Sequence, residues 1–380
     1  MRIAINAALL GKRHTGVGRY IVGLVQSLSS LGHEVLVYSS STLVPECPSI
    51  RLRKTPSSIA FGASPFAGPL RLLWNLFVLP MRLRSAKVDA VVSQNAEGAI
   101  WCSVPQVLVV HDLIPVLYPE EAPRLRRYYR KVLPHVLKHT AAVVAVSYHT
   151  RSDLLQHFDV NPASVHVVYD GVPHSLEDQS PKYMPAGFPS EPYFLFVGNF
   201  SPRKNLGTVI RALAKIRNHV CESLLIVAYP DKWSSGCLRL ANELGLRDRI
   251  VHMSGLSDRE MGFVYRHATA LFLLSEYEGF GLPLLEAMLA GAPAVVSNST
   301  ALAEVAGDVA LKITPHDVSA AAAAMLRLST DHTYREELRQ LGIQWACTFS
   351  WTLTGRAVSE ILSRIVQSRE RKSRSTTSPQ

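Results

Sequence analysis

Glu278 and Glu286 stand eight residues apart, with Gly279, Gly281 and Pro283 between them, directly after the apolar run 270–274. Two carboxylates placed this way can serve acid–base chemistry. The apolar run reads as a buried strand, the glycines let the backbone turn sharply and come close to a ligand, and a proline suits the first turn of a helix. Free N–H groups at such a helix start form an anion site. Glu278 is therefore expected on a loop at the carboxyl end of a strand, and Glu286 about one turn inside the helix that follows. The spacing also fits a plain strand–turn–helix connection carrying two solvated glutamates.

A second grouping is cationic. The strand pattern 193–198 runs into a glycine turn at Gly198, and Arg203 and Lys204 then fall at or just before a helix over 206–217. The helix dipole disfavours cations there, so the pair calls for an anion. A pyrophosphate would supply it, with Arg203 bidentate and Lys204 a mobile point charge. Two exposed basic residues in a loop are the simpler alternative. The run 107–110 ends at His111, which puts an imidazole at the carboxyl edge of a strand, where ligands of open α/β sheets gather. A lone histidine is as often structural. Gly16 and Val17 lie in a loop over 11–19 between a first strand, 3–9, and a helix over 20–31, with another strand at 34–38. That βαβ unit favours a phosphate or close ligand, although the ribose-binding acid of a dinucleotide fingerprint is not evident.

Positioning these residues takes two sets of alternating strands and helices. Further strand patterns fall at 141–146, 165–169, 224–228, 250–255, 294–297 and 309–313, with helices at 319–328, 334–345 and 351–366, and Ser147 and Ser319 as N-caps. The class is α/β, with two Rossmann-like, doubly wound parallel-sheet domains in sequence. Residues 174–192, rich in proline, serine and charge, read as an interdomain linker. The expected division is 1–175 and 188–350, then a last helix over 351–367 and a disordered basic tail over 368–380.

Two other segments carry charge beside apolar residues. Over 65–84 the apolar positions run nearly all the way round and the ends are basic, which reads as a core-packing helix; docking on a membrane surface is the alternative. Farther on, Arg124, Arg127 and Lys131 share one side of a helix, while Leu125, Tyr129, Val132 and Val136 line another. A solvated face is the default there, and a lipid headgroup or lipid-linked diphosphate would suit it equally.

The chain has 380 residues, 47% of them hydrophobic, and a net charge of +10. That is enough for two or three globular domains and favours anionic partners. No helix-turn-helix or RNA-binding signature is present, so nucleic acid is not expected. No apolar run approaches the ~20 residues needed to span a bilayer. The start lacks a small-residue cleavage site, which points to the cytoplasm. Five scattered cysteines without a C-x-x-C pair indicate neither zinc nor a disulfide framework.

The stretch 275–287 resembles the Glu-x7-Glu signature of the retaining glycosyltransferases of family 4, which adopt the GT-B fold. The resemblance implies that Glu278 lies against the donor sugar and Glu286 binds the nucleotide ribose. Gly279, Phe280, Gly281, Leu282 and Pro283 between them fit the family pattern. It further implies that Arg203 and Lys204 bind the donor diphosphate, that His111 lies near donor sugar and acceptor, and that Gly255 and Leu256 lie by the nucleobase. Ala228, Tyr229 and Pro230 stand where the family often has a glycine, a departure that leaves this pocket open.

The GT-B fold implies an acceptor-binding first domain facing a nucleotide-sugar-binding second domain across a cleft, with the last helix crossing back. With no aspartate-x-aspartate clamp in the sequence, the expected transfer is metal-independent, and the nucleotide-sugar is a co-substrate with no cofactor besides. The loop 15–20 and the segment 73–80 resemble bacterial members that build O-antigen or exopolysaccharide, many of them mannosyltransferases. GDP-mannose is then the first expectation for the donor and a UDP-sugar the next. The acceptor would be a glycan or polyprenyl-diphosphate-linked sugar, with peripheral contact to the inner membrane. A sugar-nucleotide epimerase of the same fold, a glycan phosphorylase with a pyridoxal lysine, and a non-catalytic nucleotide-binding protein remain alternatives.

Overall fold

The computed structural model describes residues 1–11, 15–172 and 183–376. Residues 174–182 of the expected linker and the last four residues of the expected tail lie outside these. The chain divides into two compact units, Met1–Gly171 with Ser350–Gln380, and Val172–Phe349.

The first unit is built on seven parallel strands: β1 (Arg2–Asn6), β2 (Glu34–Ser39), β3 (Ile50–Lys54), β4 (Ala90–Ser93), β5 (Gln106–Val110), β6 (Ala142–Ala145) and β7 (Val165–Val167). Their order is β3-β2-β1-β4-β5-β6-β7. The second unit carries β8 (Tyr193–Gly198), β9 (Ser223–Ala228), β10 (Ile250–Met253), β11 (Ala270–Leu273), β12 (Ala294–Ser297) and β13 (Leu311–Ile313), in the order β10-β9-β8-β11-β12-β13. The central strands are short runs of Val, Ile, Leu, Phe and Ala, buried throughout in β4, β5, β9, β11 and β12. Strands covered by helices on both faces need such continuous apolar runs. In each sheet the order reverses next to the first strand, between β1 and β4 and between β8 and β11. Loops diverge at such a switch point and leave a crevice at the carboxyl edge.

Several local expectations change. The first helix runs Gly16–Ser30, not from residue 20, because Thr15 caps it: its side chain accepts from the Gly18 N–H at 3.1 Å. The helix expected to be capped by Ser319 is Val318–Thr330, capped by Asp317, whose carboxylate accepts from Ala320 N–H at 2.8 Å. Ser147 does cap its helix, accepting from Thr150 N–H at 3.0 Å.

The last helix, Trp351–Thr376, continues well into the expected disordered tail. Adding good helix formers such as Arg, Glu and Lys to a nucleated helix costs little. It belongs to the first unit and lies very close to the Gly16–Ser30 helix. A Cβ on Gly23 would meet the Trp351 ring at 2.2 Å, and one on Gly355 would meet Ser27 Oγ at 2.0 Å.

The segment 65–84 packs on the core as expected, but on one side only and not as a single regular helix. It forms a helix Ala67–Leu73, a π turn Trp74–Val78 and a helix Leu79–Ala86. The π turn follows from Pro80, which has no N–H to donate to the carbonyl four residues back. One side, with Trp74, Leu79 and Leu83, packs on the core under β1, β2 and β4, while Phe66, Leu73, Phe77 and Met81 remain exposed.

Candidate active site

Two loops flank the β8/β11 switch point, and between them they bring together three of the charged residues singled out in the sequence. After β8, Pro202–Lys204 forms a 3-10 turn, and Asn205, at φ 53°, opens the helix Leu206–Ile216. The Asn205 amide donates to the Leu274 carbonyl at 3.1 Å, and Glu276 N–H donates to the Arg203 carbonyl at 2.8 Å, so the loops after β8 and β11 are laced together. In this frame Arg203, only 4% exposed, donates to the Tyr277 carbonyl and reaches Glu278 Oε2 at 3.7 Å. Lys204 donates to Glu278 Oε1, which also accepts from Ser275 Oγ at 2.7 Å. The cation pair that asked for an anion thus has one, Glu278.

Electrostatics follows from that geometry. Burial pushes the Glu278 carboxyl up, but Lys204, Arg203 and the hydroxyl of Ser275 outweigh it and hold it below its ordinary range. Glu278 is thereby kept ionised, with its negative charge directed at two cations.

Gly281 begins the helix Leu282–Ala290 in a left-handed conformation, φ 100°, and a Cβ there would lie 2.5 Å from Leu302. Both conditions demand glycine. Phe280 and Leu282 are buried on either side. Glu286 sits in this helix, 2% exposed, and its carboxylate accepts from the Tyr265 hydroxyl at 2.9 Å. Gly198 ends β8, where a Cβ would rest at an ordinary 3.6 Å from the Lys204 stem. Gly255, at φ 75°, and Leu256 follow β10, and the Tyr229 hydroxyl would lie 3.7 Å from a Cβ on Gly255. The residue that departs from the family pattern therefore overlooks the expected nucleobase seat.

His111, Gly16 and Val17 belong to the first unit. Gly16 and Val17 occupy the first turn of the helix capped by Thr15. His111 follows β5 as expected, buried, with its ring 4.7 Å edge-on from that of Tyr20. Burial lowers its pKa to about 4, so the imidazole is neutral at physiological pH. Its Nε2, the Tyr20 hydroxyl and Asp170 Oδ1 are buried without a hydrogen-bond partner. Burial also pushes the Asp170 carboxyl well up.

Two matches to family descriptions cover most of the chain: Glycosyltransferase Family 4 over residues 14–176 and Glycosyl transferases group 1 over residues 185–345. The chain is 30% identical to MMP alpha-(1->4)-mannosyltransferase from Mycolicibacterium hassiacum, across 90% of its own length and 92% of that protein's. The chain belongs to glycosyltransferase family 4. This glycosyltransferase is also 28% identical to O-antigen chain mannosyltransferase B of Escherichia coli, over 89% of its length and 93% of the relative's. Its fold matches sucrose-phosphate synthase from Thermosynechococcus elongatus with a TM-score of 0.78 at 20% identity, covering 97% of this chain and 99% of that one. The two parallel sheets are those of the GT-B fold.

Sequence reasoning missed several polar residues in this glycosyltransferase. Asn6 ends β1 opposite Ser93 of β4, and Gln94 follows Ser93, so both sit at the first unit's switch point. Asn6 Oδ1 and both amide atoms of Gln94 are buried with no partner. Asn95 and Ala96, at φ 54° and 57°, continue the turn in the left-handed region. Strain of that kind concentrates at functional sites. In the second unit the hydroxyls of Ser297, which ends β12, and of Ser299 and Thr300 just after it are likewise buried and unpartnered. A polar residue right after a buried strand was the available signal.

Proposed function

We propose that this glycosyltransferase moves a sugar from a nucleotide-sugar to a glycan or polyprenyl-diphosphate-linked acceptor, with retention at the anomeric carbon and without a metal. The setting is cell-surface polysaccharide synthesis, of the O-antigen or exopolysaccharide kind, at the cytoplasmic face of the inner membrane. GDP-mannose is the first candidate donor, in keeping with the mannosyltransferase relatives, and a UDP-sugar the next. The observation that carries this reading is the convergence of Arg203, Lys204 and Glu278 at the switch point of the second sheet.

Breaking the bond between the anomeric carbon and the diphosphate leaves negative charge on phosphate and positive charge on the sugar. Arg203, Lys204 and the helix start after Gly281 meet the first, as preorganised donors that need not reorient during reaction. When a diphosphate shares the two cations, the Glu278 carboxylate turns part of its hydrogen-bonding capacity to the sugar. It positions the sugar and supports its developing charge without forming a covalent bond. The leaving phosphate oxygen takes the acceptor's proton on the same face, which retains configuration. Glu286 takes the ribose, while Gly255 and Leu256 border the base. His111, neutral and with Nε2 free, hydrogen-bonds a sugar or acceptor hydroxyl.

Protection from thermal unfolding by GDP-mannose, UDP-glucose and a dTDP-sugar tests the donor, because a ligand bound only by the native state raises its stability. GDP-mannose is expected to protect most. Protection by none of the three would remove the nucleotide-sugar reading, and an inverted product would remove the retaining one.

A further inference from the structure

We infer that the first unit docks on an anionic bilayer through the exposed stripe of residues 66–81 and the neighbouring basic helix Pro123–Lys131. It rests on the lipid-linked acceptor only for its purpose, since such an acceptor would be met where the protein docks.

The stripe is continuous across the π turn. Phe66, Leu70, Leu73, Phe77 and Met81 follow one another at steps of four, three, four and four residues, and all are exposed, Phe66 to 70%, Phe77 to 55% and Met81 to 65%. The opposite side anchors the segment: Trp74, Leu79 and Leu83 pack inward, and the buried Arg71 is ion-paired with Glu97. The basic helix meets the same place, because Tyr128 donates its hydroxyl to the Ala96 carbonyl at 2.9 Å, next to that ion pair. Both helices are thus fixed to the 94–98 turn after β4. Apolar surface of this extent outside a core marks an interaction site.

Charge identifies the occupant. No Asp or Glu occurs between Cys47 and Val88, while seven Lys and Arg do; Arg82, Arg84 and Lys87 are exposed at the carboxyl end of the stripe. Tyr38 of β2 lies in register with Arg53 of the exposed edge strand β3 and donates its hydroxyl to the Arg82 carbonyl at 3.4 Å, which ties the cations of β3 to the same side. In Pro123–Lys131 five of nine residues are basic and none acidic. A second copy is disfavoured, because a two-fold interface sets a patch against itself and would bring these cations together. An anionic membrane satisfies both parts, with apolar side chains entering the headgroup–acyl boundary and cations reaching lipid phosphates. No helix among the described residues is long and apolar enough to cross a membrane, so contact through this surface would be peripheral.

Co-sedimentation of the full chain with vesicles of phosphatidylcholine, with and without phosphatidylglycerol, tests the surface. Binding is expected on the phosphatidylglycerol vesicles, about tenfold or more weaker on phosphatidylcholine alone, and lost at high salt. Phe77→Ser with Met81→Ser, and separately Arg126→Glu with Arg127→Glu, should each weaken binding about tenfold or more, with melting temperature and GDP-mannose protection kept. Equal binding to both vesicle types, wild-type binding by either double variant, or a dimer broken by these substitutions in place of vesicle binding would overturn the inference. Loss of GDP-mannose protection with vesicle binding intact would count against the donor reading and leave the docking surface standing.

Discussion

Lys204 donates its ammonium to Oε1 of Glu278 across 74 residues of sequence, and this pair sits at the centre of the proposed site in the second unit. The two partners arrive from loops on either side of the β8/β11 switch point, so the sheet order itself makes the contact. Lys204→Ala removes one donor from the proposed diphosphate seat and leaves Glu278 with Arg203 and Ser275. Turnover should fall by about 10²–10³, the usual loss for one preorganised donor. Arg203→Ala is the harsher change, because its guanidinium also holds the Tyr277 carbonyl. Breaking a buried pair in this way typically costs about 3–5 kcal/mol, so that variant should lose stability as well as activity. Denaturation and steady-state kinetics on both variants check the distinction; full turnover in Lys204→Ala would end the assignment.

His111 makes stability depend on pH. Its folded pKa of about 4 lies below the ordinary 6.5, so the native state resists the proton that the unfolded chain takes up. The stability this confers is complete above 6.5 and declines as pH falls towards 4, by roughly 3 kcal/mol in all. Asp170, pushed up by burial, works in the opposite direction. The measurement is therefore the difference in unfolding free energy between the wild type and His111→Asn across pH 4–7, roughly the interval set by these values. A difference that does not change with pH would mean that the imidazole titrates normally.

Tyr229 is expected to govern donor affinity. Its hydroxyl lies beside Gly255, and the ring is 45% exposed, so it can cover a base seated there. Stacking of a base on an aromatic ring is worth about 1–3 kcal/mol. Tyr229→Ala should accordingly raise the KM for the donor about tenfold or more and change kcat little, whereas Tyr229→Phe should stay close to wild type. An unchanged KM in Tyr229→Ala would move the base elsewhere.

Much of this architecture is legible in the sequence because the buried strands are unbroken apolar runs ending in glycine or a charged residue. The loops after β8 and β11 could be placed on that basis, and with them Arg203, Lys204 and Glu278. Their mutual pairing could not, since it depends on strand order. β4, next to β1, is a run of only four residues, and β3 is an exposed edge strand rich in arginine; neither stands out. Without β4 the first switch point has no location, and Asn6 and Gln94 pass unnoticed. The exposed side of the segment at 66–81 is hidden in the sequence for another reason. A segment apolar all round looks buried, and no pattern within it tells which side the neighbouring core will cover.

The contact between the first and last helices gives a test of the first unit alone. Gly355 lies where a Cβ would come within 2.0 Å of Ser27 Oγ and 2.6 Å of its Cβ, and Trp351, one turn earlier, stacks edge-on at 5.7 Å against Tyr20. Thr354 Oγ1 also donates to the Tyr169 carbonyl at 2.8 Å, which fixes the register of the final helix. Since neither helix can move without breaking these contacts, Gly355→Ala should cost about 1–3 kcal/mol, the usual range for overpacking, despite alanine's better helix propensity. Replacing Ser27 by glycine removes both clashing atoms, so Ser27→Gly with Gly355→Ala should be more stable than the sum of the single changes predicts, measured as a double-mutant cycle. Additive behaviour would mean that the helices sit farther apart than this geometry. Protection by the donor should persist in all three variants, because the proposed diphosphate, ribose and base contacts all come from residues of the second unit.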